Sequence, residues 1–141
     1  MFASIRKPRS LRVLVVDDNV AAAQTMAIFL SMNGYDVAVA EDGASALKKY
    51  EAIRPDVVLL DVGLPDMSGH EVARRIREIP THEIPVIVAV TGWEREDMHT
   101  TKSGGVCDEF DFFLPKPVNY DDLDKLLREG GGEVTQPANV P

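Results

Sequence analysis

Apolar residues along the chain gather into five short runs, near Arg12–Val16, Asp36–Ala40, Asp56–Leu60, Val86–Val90 and Asp111–Leu114, separated by stretches with helical periodicity. None of the runs alternates strictly between apolar and polar, as expected of parallel strands covered by helices on both faces. Strand and helix in turn, joined by right-handed crossovers, predict an α/β fold: a doubly wound five-stranded parallel sheet of order 2-1-3-4-5, with helices on both faces.

The helical stretches carry their own punctuation. Ala23, Met26, Ala27 and Leu30 recur on one face, and Gly34 follows as a left-handed stop. A second helix starts after Asp42 as N-cap, with Ala44 and Leu47 inward, and ends before Pro55. The third opens with Ser68 and Glu71 at capping-box spacing and buries Val72, Ile76 and Ile79 before Pro80. A fourth, within Glu94–Ser103, is mostly polar and is expected to pack lightly and to be the most mobile. The fifth begins after Asn119 and presents Leu123, Leu126 and Leu127 before Gly130-Gly131-Gly132 ends the pattern. The expected organisation is a flexible lead-in over 1–10, one domain over 11–129 and a disordered tail over 130–141.

Four of the apolar runs end in polar chemistry. Leu11–Val16 leads into Asp17 and Asp18, Val57–Leu60 into Asp61, Val86–Val90 into Thr91, and Phe112–Leu114 towards Lys116. Ligands of open α/β sheets bind outside the carboxyl ends of the strands, so these groups are expected to share one crevice. Carboxylates brought together there repel by about 4 kcal/mol at ~4 Å and an effective dielectric of 20. Mg²⁺ relieves that repulsion, because it takes oxygen ligands, keeps several waters and binds substrate phosphate; Mn²⁺ is the alternative ion. Thr91 offers a hydroxyl and Gly92 leaves room beside it. Lys116 lies between Pro115 and Pro117, a context that fixes a loop and makes the Lys116-Pro117 bond a candidate for cis geometry.

Composition narrows the class. A length of 141 residues suits one domain, and no apolar stretch approaches the length of a membrane span. The net charge of -8 argues against direct contact with nucleic acid or an acidic membrane. Cys107 is the only cysteine, so no internal disulfide forms and a reducing cytoplasm is the expected location. His70, His82 and His99 have no metal-ligand spacing and read as surface residues.

Four segments together resemble the response-regulator receiver family: Val15-Val16-Asp17-Asp18, Leu60-Asp61 through Ser68-Gly69, Val90-Thr91-Gly92 and Leu114-Pro115-Lys116-Pro117. The resemblance runs from Leu11 to Arg128 and implies a flavodoxin-like fold. It implies that Asp61 is the phosphoacceptor, charged by a histidine kinase or histidine phosphotransferase and read by a downstream protein effector. It further implies that Asp18, Asp61 and the Gly63 carbonyl bind Mg²⁺, that Asp17 acts mainly through a metal-bound water, and that Thr91 and Lys116 hold the phosphoryl oxygens. Phe113 matches the aromatic position that follows the threonine inward on switching. Gly63 leaves the approach of a hydrolytic water open; Trp93 either shields it or serves a partner.

The link Ser103–Asp111 is longer than is usual in the family. The face built from the fourth helix, fifth strand and fifth helix, a candidate for homodimerisation or effector contact, is therefore expected to differ. The expectation is a receiver domain on its own, either a single-domain regulator or the separated receiver of a hybrid kinase, catalysing only its own phosphoryl transfer and dephosphorylation. Its rivals are a receiver-like binding module that is never phosphorylated and a phosphohydrolase with Asp61 as nucleophile. Gly63 speaks against the second, standing where such hydrolases carry a general acid. Replacing Trp93 by alanine is expected to change the lifetime of phosphorylated Asp61, followed as release of phosphate; an unchanged half-life removes the shielding role.

Overall fold

A computed structural model describes residues 11–80, 84–92 and 109–128. Its strands are β1 (Arg12–Val16), β2 (Asp36–Ala40), β3 (Val57–Asp61), β4 (Val86–Thr91) and β5 (Phe112–Pro115). All neighbours pair in parallel, in the order β2-β1-β3-β4-β5. The helices are α1 (Val20–Met32), α2 (Gly43–Ile53), α3 (Gly69–Arg77) and α4 (Tyr120–Arg128). The helix expected within 94–103, the lead-in, most of the 103–111 link, the tail, and with them Trp93, His82, His99 and Cys107, lie outside the described residues.

Alternate strand positions feed two apolar layers, which is why no run alternates in polarity. Leu14, Val16, Val58, Leu60, Ile87 and Ala89 pack under α2 and α3 with Tyr50, Val72 and Ile76. Val13, Val15, Leu59, Val88, Val90 and Leu114 pack under α1 and α4 with Met26, Leu30, Leu123, Leu126 and Leu127. Because the sheet buries both faces, polar groups have a place only at its ends.

β3, β4 and β5 each run one residue later than their apolar patterns suggest, to Asp61, Thr91 and Pro115. Asp56 and Asp111 stand at the strand mouths and act through their side chains: Asp56 accepts the Arg12 N–H at 2.9 Å and Asp111 the Ile87 N–H at 2.9 Å. At the other end the ladder extends through the functional residues, pairing Asp61 with Val90 and Thr91 with Pro115.

Helix starts follow the capping pattern. Asn19, Asp42 and Ser68 accept the N–H groups of Ala22, Ser45 and Glu71 at 3.0, 2.8 and 3.1 Å. Asn119 accepts those of Asp121 and Asp122 at 2.8 and 3.1 Å. Gly34 takes the left-handed conformation after α1, with φ 93°. Two burial expectations need correction. Ala44 is exposed; the buried face of α2 is Gly43, Ala46 and Tyr50, with Leu47 partly buried against the same core. His70 is half-buried rather than on the surface, its ring edge-on to Phe110 at 5.3 Å. Burial lowers the His70 pKa, and Glu109 opposes that shift.

Arg77, at the end of α3, ties that helix to the start of β5. Its guanidinium donates to the Pro85 carbonyl at 2.8 Å, to the Glu109 carbonyl at 3.1 Å and to the Asp111 carboxylate at 2.6 Å. Arg77→Ala removes a charge-assisted bond from a half-buried site and is expected to lower unfolding free energy by about 1–3 kcal/mol in urea titration; a loss well under 1 kcal/mol would show that water replaces these bonds.

Candidate functional site

Parallel register builds the site. Val16 pairs with Leu60, so the next residue of each strand, Asp17 and Asp61, emerges at the same level of the sheet. Both are 7% exposed, whereas Asp18 reaches solvent. One carboxylate oxygen from each of the three lies within 4.8 Å of the other two. The Lys116 ammonium arrives from the end of β5, 3.3 Å from Asp61 Oδ2 and 3.5 Å from Asp17 Oδ2. Backbone amides hold the other oxygens: Asn19 N–H donates to Asp17 Oδ1 at 2.9 Å and Gly63 N–H to Asp61 Oδ1 at 3.0 Å.

One lysine does not neutralise this cluster. Burial pushes the Asp17 carboxyl above its ordinary pKa; the Asn19 N–H and Lys116 pull it down, and Asp61 pushes it further up. The donors are all oxygen, close enough for a common ion, and short of positive charge. That is the donor chemistry of a hard divalent cation such as Mg²⁺.

The remaining predicted residues gather around the same edge. Thr91 is buried at the end of β4, and its carbonyl accepts the Lys116 N–H at 2.9 Å, which locks the lysine loop to that strand. The Lys116-Pro117 peptide is cis. Among the described residues, a Cβ added at Gly92 would meet nothing within 4 Å, and one at Gly63 would meet only Asp61 Oδ1 at 4.0 Å. Phe113 is half-buried on the α3 side of the sheet, edge-on to Phe110 at 5.8 Å.

Two residues, Gly69 at the start of α3 and Asp66 in the loop before it, matter more than their sequence context suggests. Gly69 lies so close to the strand that a Cβ would sit 2.6 Å from Val62 Cα and 2.8 Å from the Asp61 carbonyl oxygen. Asp66 accepts the Gly43 and Ala44 N–H groups at 2.8 and 2.9 Å, across to the start of α2. These bonds hold its carboxyl below the usual pKa. Gly69 stands in the motif that carries the resemblance, but no local signal pairs Asp66 with a helix start 23 residues earlier.

Comparison with known proteins decides the family. Residues 13–128 match the family model described as the response regulator receiver domain. The chain belongs to the response regulator receiver family. This receiver is 36% identical over 119 residues to the response regulator MprA of Mycobacterium ulcerans, covering 84% of the chain and 49% of MprA. It is 33% identical over 118 residues to the transcriptional regulatory protein TrcR of Mycobacterium tuberculosis, covering 84% of the chain and 44% of TrcR. The chain thus spans about half the length of the curated relatives it matches.

Among solved structures, the CheY-like receiver domain of Methylobacillus flagellatus superposes with a TM-score of 0.75 at 31% identity, covering 85% of this chain and 98% of that one. TrrA of Thermotoga maritima, solved in complex with Mg²⁺-BeF, superposes with a TM-score of 0.71 at 30% identity, covering 84% and 97%. Receiver domains are signalling modules of two-component systems rather than classical enzymes, and they bind Mg²⁺ at an aspartate cluster. Among the described residues of this receiver, no helix is long and apolar enough to cross a membrane.

The raised Asp17 pKa has a signed consequence for stability. Between the ordinary aspartate value of 3.8 and the raised folded value, the folded receiver binds more protons than the unfolded chain, so Asp17 disfavours folding as pH rises through that window. Without divalent metal, Asp17→Asn is expected to raise the urea midpoint at neutral pH, with the gain shrinking as pH falls towards 3.8. A variant less stable than wild type at neutral pH would show that the Lys116 ion pair outweighs burial.

Proposed function

We propose that this receiver is a phosphorylation switch in which Asp61 takes a phosphoryl group from a phosphohistidine of a histidine kinase or histidine phosphotransferase, and a downstream protein reads the result. The observation that carries this reading is the Lys116 ammonium lying between the Asp61 and Asp17 carboxylates, 3.3 and 3.5 Å away, at the mouth of a three-carboxylate cluster. In transfer, an O–P bond forms to an Asp61 oxygen as the donor's N–P bond breaks. The loose transition state leaves the protein little covalent work, so positioning and charge compensation carry the catalysis.

Asp18, Asp61 and the Gly63 carbonyl are the residues to hold Mg²⁺, with Asp17 acting through water. When bound, the ion would offset negative charge on the phosphoryl oxygens. Gly63 N–H fixes one Asp61 oxygen and so orients the carboxylate for attack. Lys116 pairs with Asp61 at rest and turns to phosphoryl oxygens afterwards, which its half-exposed side chain leaves it free to do. The Thr91 hydroxyl binds a second oxygen, and Phe113 follows it inward, carrying the event to the far edge of the sheet.

Incubation with Mg²⁺ and acetyl phosphate is expected to add the mass of one PO₃ unit to the wild type and nothing to Asp61→Asn, read by intact-protein mass spectrometry under mild conditions. An unmodified wild type would favour a phosphorylation-independent binding module, and a modified Asp61→Asn would place the acceptor elsewhere.

A further inference from the structure

The loop from Val62 to Ser68 carries Gly63, whose carbonyl is assigned above to the metal. Its ends are fixed: Gly63 N–H donates to Asp61 Oδ1 at the end of β3 at 3.0 Å, and Gly69 N–H closes the loop on the Val62 carbonyl at 2.8 Å. Leu64 is buried, whereas Pro65 and Asp66 are exposed. Across this exposed stretch Asp66 divides its carboxylate between two amides of α2, Gly43 at 2.8 Å and Ala44 at 2.9 Å.

Two features indicate that this bridge serves the loop more than the helix. First, α2 already has its own cap, since Asp42 accepts the Ser45 N–H at 2.8 Å. Second, the bridge is backed by packing: a Cβ at Gly43 would meet the Met67 side chain, with Sδ only 2.9 Å away, so the loop lies directly on the first turn of the helix. The start of α2 carries partial positive charge and amides with no partner inside the helix, a fitting anchor for a carboxylate.

We propose that Asp66 is a positioning residue for the metal site: by clamping the loop to the start of α2 it holds the Gly63 carbonyl in place for the ion bound at Asp18 and Asp61. This rests on the metal assignment made under the proposed function. Asp66 touches neither ion nor phosphoryl group. Its effect is to remove the freedom of the backbone that supplies one ligand.

Isothermal titration with Mg²⁺ of wild type, Asp66→Asn and Asp66→Ala, each first shown folded by circular dichroism, tests the clamp. Asp66→Ala is expected to weaken Mg²⁺ binding about threefold to tenfold, at or below the roughly 10–100-fold typical of groups that bond a metal ligand directly. Asp66→Asn, with one oxygen acceptor in place of two, falls between and decides the matter if the alanine variant does not fold. In urea-free buffer, where circular dichroism shows each variant already folded, acetyl phosphate labelling should recover when Mg²⁺ is raised in proportion, a rescue that then reports site occupancy and not refolding. Folded variants that bind Mg²⁺ as tightly as wild type overturn the clamp and leave the proposed function standing. A wild type that binds no Mg²⁺ overturns both.

Discussion

Crowded negative charge at the carboxyl edge of the sheet is the condition to which the surrounding structure answers. Parallel pairing of β1 with β3 sets Asp17 beside Asp61 with both nearly out of water, and Asp18 follows one residue on. With ligand oxygens within 4.8 Å of one another, each charged pair costs at least about 3 kcal/mol at an effective dielectric of 20. The sheet is held by two apolar layers that have no use for these acids. Their cost is borne by the fold and offset only in part by Lys116, which leaves the cluster preorganised for the cation and the phosphoryl group proposed above.

The elements around the cluster each remove a degree of freedom. Gly63 N–H fixes Asp61 and Asn19 N–H fixes Asp17, the Thr91 carbonyl fixes the lysine loop, and Gly69 brings α3 into contact with the backbone of Asp61 itself. Asp66 extends the same restraint to α2. From Thr91 the sheet leads to β5, where Phe113 touches Phe110 and Phe110 touches His70 of α3. A ring displaced at Phe113 therefore meets packed neighbours on the far face, and the half-buried His70 is part of that contact chain.

Strand order, helix caps and the acid, hydroxyl and lysine set were legible because each is written locally: an apolar run, a capping residue, a polar residue at the strand end. The errors share one cause. Spacing alone turns Ala44 inward along with Leu47, but Leu47 packs against the core while Ala44 is exposed, because the face that turns in is set by Tyr50 packing under the sheet and by Met67 pressing on Gly43. His70 read as a surface residue because its partner, Phe110, arrives from a distant part of the chain. Asp56 and Asp111 looked like strand residues, and their side-chain bonds to neighbouring strands are visible only once the strands are side by side. Asp66 escaped notice for the same reason. Local patterns name the elements and the chemistry at their ends; long-range packing decides orientation.

The most direct measurement is the urea midpoint of the wild type as a function of free Mg²⁺ at constant ionic strength. If the carboxylate cluster of the folded receiver is a cation site, stability rises with Mg²⁺ and, above the dissociation constant, gains about 1.4 kcal/mol for each tenfold increase. A midpoint that Mg²⁺ leaves unmoved across millimolar concentrations, in a protein that unfolds cooperatively, would contradict the account: the three carboxylates would then tolerate one another with Lys116 alone.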